Sequence, residues 1–377
     1  MFTASQAEAL LKLAGLAELE PLVRAVAGCG FDPAIYLADN SGLTESGYDA
    51  GSAAFHFLAY GYGEDRNLIC GPLPEGLSAF RQVSIPNRAY AAGLFRTLFF
   101  GQLRDPKTAD RVWHVIDAGL IECLRAMGGL PYVIFGDSHT NHYLRKASVG
   151  ERWLAPLPVV CHGASAIALG NPNSRLGYGE RILDWARMAA GSGTFNAPIF
   201  LKFGGLDAEF RWMWRRLQNG VRQFSLAEYD EFARFSAAGY GAFLDRLSEI
   251  LGNRVLRVCS VFPSALADAY WAEIFIEAYR ATPEEDRDLA ARLRDFEIPR
   301  FATRTQLRAL YNYYLRSMCR QKGLVFVDDF APFVGRDGST DPRCYLRHGG
   351  RDNHLDRREI DAEMAGIVEH FVSVEAN

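Results

Sequence analysis

Nowhere in the 377 residues is there an apolar run long enough to span a bilayer. The N-terminus has no basic stretch leading into an apolar one, the mark of a secretory signal. A cytoplasmic protein without a membrane span is therefore expected. Excess positive charge is also missing. Lys and Arg number 41 against 45 Asp and Glu, a net charge of -4, which gives no electrostatic reason to expect a nucleic-acid partner. Cys29, Cys70, Cys123, Cys161, Cys259, Cys319 and Cys344 form no CxxC pair. Their odd number and wide spacing fit neither a disulfide framework nor a zinc site, so buried thiols in a reducing compartment are expected. Walker A, HExxH and a GxGxxG opening a helix are absent too, which removes the nucleotide-binding and zinc-protease readings. Nothing in the chain asks for a metal or cofactor.

What is present is a large apolar fraction, 49%, with 23% charged residues. Such a chain buries a sizeable core, and its length suits one large domain with an accessory region. Leu10, Leu11, Leu13, Leu16 and Leu19 recur at helical spacing before Gly28 and Gly30. Two short helices follow, one after Asp32-Pro33 and one holding Phe55, Phe57 and Tyr60. Prolines 72, 74 and 86 mark a connector, and residues 88–128 are helical in period. The expected division is a helical module over 1–72, a connector with helices packing on the core over 73–130, and an α/β domain over 131–377.

In that last part five short apolar runs alternate with helical segments: 132–135, 157–161, 199–203, 255–262 and 324–327. Continuously apolar strands alternating with helices predict a parallel five-stranded sheet covered on both faces. Sites in such sheets lie beyond the carboxyl ends of the strands. That edge would carry Gly136-Asp137-Ser138-His139, the turn around Gly163, the Gly204–Asp207 segment and Pro263.

Ser138 follows the first strand directly, with a helix expected from Thr140 to Lys146. A serine there can present its hydroxyl as a nucleophile and its own N–H to a forming oxyanion; the plainer alternative is a helix N-cap with Asp137 as a turn residue. His354 lies in a Gly-rich loop, Gly349-Gly350-Arg351-Asp352-Asn353-His354, ahead of a helix expected near Asp356. It is the candidate base, with Asp352 or Asp356 to orient it. His139 and His142 suit wall or substrate contacts, and His162 ends the second strand. The run Phe210-Arg211-Trp212-Met213-Trp214-Arg215-Arg216 could face an anionic glycan, but its period favours an amphipathic helix with Trp packed inward.

Two resemblances follow from these residues. FDPAIYLADN, then FHFLAYGYGEDRNL, over residues 31–68 resembles a small helical module that accompanies bacterial glycan-assembly enzymes, except that Glu64-Asp65-Arg66-Asn67 departs from its Glu-Gly-Arg ending. GDSH after strand one, CHGAS after strand two, FGGLD after strand three and the late His354-Leu355 resemble, in order, the blocks of the SGNH (GDSL-type) hydrolase superfamily, and its glycan-pathway branch in particular. That resemblance implies a flavodoxin-like three-layer fold and serine-dependent deacylation or acyl transfer on an acylated carbohydrate or small molecule. Carried over, Ser138 is nucleophile and first oxyanion donor, Gly163 the second donor, and His354 the base, with Asp352 as its acid. Asp137, His139, Asp207 and Asn171 join Gly163 as candidate oxyanion or substrate contacts. Two positions depart from the family. Leu206 stands where an Asn completes the oxyanion hole, leaving Asn171, Asn173 or His162 as substitutes. Arg351 stands where the acid of Asp-x-x-His belongs. The alternative reading, a catalytically degenerate SGNH fold that binds glycan or scaffolds polysaccharide assembly, rests on these two departures.

Overall fold

The structure is a computed structural model. It describes residues 37, 41–47, 116, 118, 121, 125, 129–143, 148–149, 152–279, 283–346 and 349–373. Most of the segment 31–68, the connector and the helices expected before residue 129 lie outside the described residues, as do Cys29, Cys70 and Cys123.

Six strands make one sheet: β1 (Gly129–Gly136), β2 (Ser148–Val149), β3 (Arg152–Val160), β4 (Ile199–Lys202), β5 (Leu256–Cys259) and β6 (Val325–Val327), in the order β2-β3-β1-β4-β5-β6. β4 and β5 pair in parallel with Ile199 opposite Leu256, and β5 and β6 do so with Val258 opposite Phe326. The carboxyl end of β1 meets those of both neighbours. Gly136 accepts from Cys161 N at 2.6 Å, and Asp137 N donates to Lys202 O at 3.3 Å. The five long strands thus run one way, in the flavodoxin-like order 2-1-3-4-5. Tyr132 to Phe135 and Ile199 to Leu201 are all fully buried. Successive side chains point to opposite faces, so both faces are covered.

The five expected strands are all present, with β1 longer than expected (Gly129–Gly136 against 132–135) and β5 shorter (Leu256–Cys259 against 255–262). β2 is a further two-residue strand, antiparallel to β3. β3 also begins at Arg152, ahead of the expected Leu157, and runs through Pro156 and Pro158. Prolines two apart lose their N–H groups on one side of a strand only. The ladder on the other side survives, and only the short β2 lies on that outer flank.

The chain falls into two compact units, Met1–Val133 with Lys146–Val160 and Met188–Ala197, and Ile134–Arg145 with Cys161–Arg187 and Pro198–Asn377. In the first, Ala118 N donates to Ser192 Oγ at 3.1 Å, and Ile116 and Ile121 are buried. The second holds the main helices. These are α1 (Ala166–Leu169), α2 (Tyr178–Gly191, which ends in the first unit), α3 (Trp212–Asn219), α4 (Leu226–Leu251), α5 (Asp268–Tyr279), α6 (Pro283–Leu293), α7 (Phe301–Lys322) and α8 (Asp361–Ser373). A five-residue helix at Ser41–Glu45 is described apart from these. Ser225 caps α4 by accepting from Glu228 N, the S-x-x-E start signal. Gly323, at φ +64°, closes α7. α4 packs against α1 and α7. Among the described residues, no helix is long and apolar enough to cross a membrane.

Trp212 is buried against Phe224 and Tyr229, and Trp214 stacks on Tyr279 at 4.6 Å, as the helical period implies. The turn before α3 is π-helical from Asp207 to Arg211. It sends Glu209 into a buried cluster with Arg308, Arg304 and Trp271; Arg308 also donates to Phe262 O at 2.8 Å, fixing the loop after β5.

Candidate active site

β1 ends in Gly136, where a Cβ would overlap the Lys202 carbonyl. Glycine lets β1 and β4 close and the chain turn off the sheet. Over the described residues, the helix expected from Thr140 to Lys146 is a 3-10 helix, Ser138–Tyr143. Ser138 is half-buried at its start.

The opposite half of the site comes from the loop before α8. Gly349 and Gly350 both have positive φ, +63° and +68°. A Cβ on Gly350 would sit 2.6 Å from that of Ala267, whose N–H donates to Gly350 O at 2.8 Å. Asp356 N donates to Cys344 O at 2.6 Å. Pinned at both ends, the loop brings His354 Nε2 to 2.6 Å from Ser138 Oγ. Asp352 Oδ1 lies 2.6 Å from His354 Nδ1 and also accepts the His354 backbone N–H at 3.1 Å. Of the two candidate carboxylates, then, Asp352 touches the imidazole, while Asp356 accepts from Arg358 N. The helix expected near Asp356 begins at Asp361, after a run of turns. Arg351 turns away and stacks on the Tyr270 ring at 5.1 Å.

A second Asp-x-His pair faces the first. Asp137 Oδ1 lies 2.8 Å from His139 Nδ1 and accepts the His139 N–H at 3.0 Å. Both side chains are buried. Asp137 and His139, two of the expected oxyanion or substrate contacts, are here bonded to each other. Burial alone would raise Asp137, but the charge and hydrogen bonds of His139 outweigh it and hold the carboxyl below its usual value. Burial lowers His139, against the pull of Asp137. The repeated Asp-x-His spacing is visible in the sequence, but an Asp two residues before a His does not say which pair reaches the serine.

Behind the pair lies a small cavity lined by Asp137, His139, Lys202, Gly205 and Phe262. Lys202 Nζ, itself buried, reaches Asp329 Oδ2 and Ser260 O, both at 2.5 Å, and lies 3.3 Å from the Phe262 ring centroid. Tyr143 and Ser260 hydroxyls also bond to Asp329. Sequence reasoning misses this cluster, since its members are far apart in the chain and carry no motif.

Gly163, at φ +69°, lies in an exposed turn after β3 with His162. Asn171 is exposed and accepts from Asn173 N at 2.9 Å in a turn. Asp207 is fully buried, so it has no open face for substrate. Its carboxylate accepts Ala166 N at 2.6 Å and Ser236 Oγ at 3.1 Å, tying α1 to the π-helical turn. Burial pushes it up to about 6, because those donors recover only part of the lost hydration. Leu206 is half-buried at the start of that turn. Among the described residues, no three His, Cys, Asp or Glu side chains cluster as metal ligands.

No family model matches the chain, and no curated protein matches it. Among solved structures it is similar to a GDSL-like lipase from Bacteroides thetaiotaomicron, at 11% identity, with 65% of this chain and 88% of that chain covered and a TM-score of 0.35.

Proposed function

We propose that the protein is a serine-dependent hydrolase or O-acyltransferase acting on an acyl ester, with a carbohydrate as the acyl carrier. The observation that carries this reading is the Asp352–His354–Ser138 relay, with both hydrogen bonds at 2.6 Å. Ser138 Oγ attacks the acyl carbonyl while His354 Nε2 takes its proton, and Asp352 stabilises the resulting imidazolium. The tetrahedral intermediate collapses, His354 returns the proton to the leaving alcohol, and an acyl-serine remains. Water, or a sugar hydroxyl, then attacks it with His354 again as base. The N–H groups of Ser138 and Gly163 are the oxyanion donors in this reading. With Leu206 in place of an amide donor, the rate falls below that of a full oxyanion hole by about 100- to 1000-fold. The carbohydrate part rests on the resemblance of residues 31–68 to a module of glycan-assembly enzymes.

Fluorophosphonate labelling of the full chain tests the reading. Wild type should label at Ser138 and cleave a simple acetyl ester, and Ser138→Ala should do neither. An unlabelled wild type with no ester cleavage would sink it and favour the glycan-binding scaffold, for which Leu206 is the supporting observation.

A further inference from the structure

We propose that His139, clamped by Asp137, is a positioning residue that holds His354 and its turn in register with Ser138. This rests on the serine-relay reading above. His354 sits on an exposed turn, with side-chain exposures of 28% for His354 and 54% for Asp352. The loop is pinned at Gly350 and Asp356, and the imidazole between those points needs a rigid surface to set its angle. The His139 ring supplies one. Its centroid is 4.7 Å from that of His354 with the planes at 44°, and its Nε2 is 3.4 Å from the carbonyl of Asn353, the residue between Asp352 and His354.

The His139 ring is itself fixed. Asp137 Oδ1 holds both its backbone N–H and Nδ1. Phe262 and His142 flank it at 5.8 and 6.2 Å. Gly205 leaves just enough room: a Cβ there would stand 3.2 Å from Asp137 Oδ2 and 3.3 Å from His139 Cε1. A buried ring this enclosed suits support of His354 better than contact with substrate.

The choice of histidine over another flat ring follows from Asp137. A phenylalanine would pack against His354 but leave the buried Asp137 carboxylate without its imidazole partner, which is costly. The titratable and charged groups facing His139 are Asp137, His142, Lys202 and His354, and Lys202 is engaged with Asp329. Within this set Asp137 is the anion, and its charge interacts with both His139 and His354. The pair therefore sets the angle of His354 and also the charge that it feels.

The test uses His139→Phe and His139→Gln in the full chain, with fluorophosphonate labelling and acetyl-ester turnover followed against pH. The expected result is a fall in kcat of about 10- to 100-fold with KM held within about twofold, the cost of roughly 1 Å of misplacement. The midpoint of the labelling-rate curve should also move, since Asp137 has lost its imidazole. A purely structural role would not move that midpoint. Rates within about threefold of wild type, or a fall with the midpoint unmoved, would overturn the proposal while leaving the serine relay standing. Loss of labelling in wild type would instead overturn the relay. Rates are compared in whichever variant melts within about 5 °C of wild type, a shift of roughly 1–2 kcal/mol or less for a chain this long. If neither does, the pair is a folding element and the proposal fails.

Discussion

Asp137-Ser138-His139 and Asp352-Asn353-His354 carry the same local bonding in opposite surroundings. In each, one carboxylate oxygen holds both the backbone N–H and Nδ1 of the histidine two residues on. The first triplet is buried at the end of β1, with side-chain exposures of 6% and 10% for His139 and Asp137, while the second sits on an open loop with 28% and 54% for His354 and Asp352. The bonding therefore fixes a ring direction in both, and the surroundings are what distinguish the two rings. The buried ring is rigid and sealed. The half-buried ring of His354 has the serine hydroxyl on its outward nitrogen.

The sharpest way to break this contrast is to remove the outward ring. His354→Ala should lower ester turnover by about 10,000-fold or more, as deleting a relay member does, while leaving the melting temperature close to wild type because the loop is exposed. Turnover that survives this change would mean that the second triplet is not the chemical one.

The next largest effect falls on the buried side and is one of stability. Gly136→Ala places a methyl on the Lys202 carbonyl, a backbone atom in the middle of the sheet. β1 and β4 must separate, at a cost of about 3 kcal/mol or more, read as a lower urea midpoint. Gly350→Ala meets the Ala267 Cβ at 2.6 Å with φ at +68°. That loop can shift, so about 1–2 kcal/mol is expected, with a larger fraction of the effect on activity. Equal stability losses from the two changes would erase the distinction between the triplets.

Asp207, a buried aspartate like Asp137, extends the contrast to pH. Asp137 is held below its usual range because an imidazole shares its pocket, whereas Asp207, with mainly N–H and hydroxyl donors, is pushed up to about 6. The native state keeps the Asp207 proton between about 6 and the ordinary value of 3.8. Stability from this group therefore rises as pH falls through that window, by about 3 kcal/mol in all. His139, lowered by burial, works in the other sense: its contribution is present above its ordinary 6.5 and is lost as pH falls below it. Comparing Asp207→Asn with wild type cancels the His139 part. The variant should be the more stable by about 2–3 kcal/mol at pH 8 relative to the difference at pH 4, by urea unfolding at both values. A difference that is flat with pH would show that Asp207 keeps its ordinary value.

The parts legible in the sequence are those fixed by short-range signals. The apolar runs 132–135 and 199–203 mark two of the strands, and Gly136 after the first run marks the turn where Ser138 stands. His354 is legible because a Gly-Gly pair before a terminal helix announces a returning loop. Harder to read is the start of β3, where Pro156 looks like a break until the one-sided ladder is known. The role of Asp207 is also hidden. Its place after Gly204-Gly205 suggests the rim, but a π-helical turn carries it inward to α1. The Lys202–Asp329 cluster joins residues 127 positions apart, and no local pattern encodes that distance.

Within the proposed relay the smaller effect on turnover is expected at Asp352, and it bears most directly on what exposure means there. In a buried triad, replacing the acid by its amide can cost about 10,000-fold, because the amide stabilises the wrong imidazole tautomer and no solvent compensates for the lost charge. Asp352 is more than half exposed. Its attraction for the imidazolium is already screened by water and salt, so less is lost when the charge goes. An asparagine here also keeps an oxygen that can accept both the His354 N–H and Nδ1–H, and its amide can turn outward to solvent. Asp352→Asn should therefore lower kcat by only about 10- to 100-fold, with the wild-type rate falling toward that of the variant as salt is raised. A loss of about 10,000-fold would mean that substrate binding buries the turn, making the open triplet resemble the closed one during the reaction.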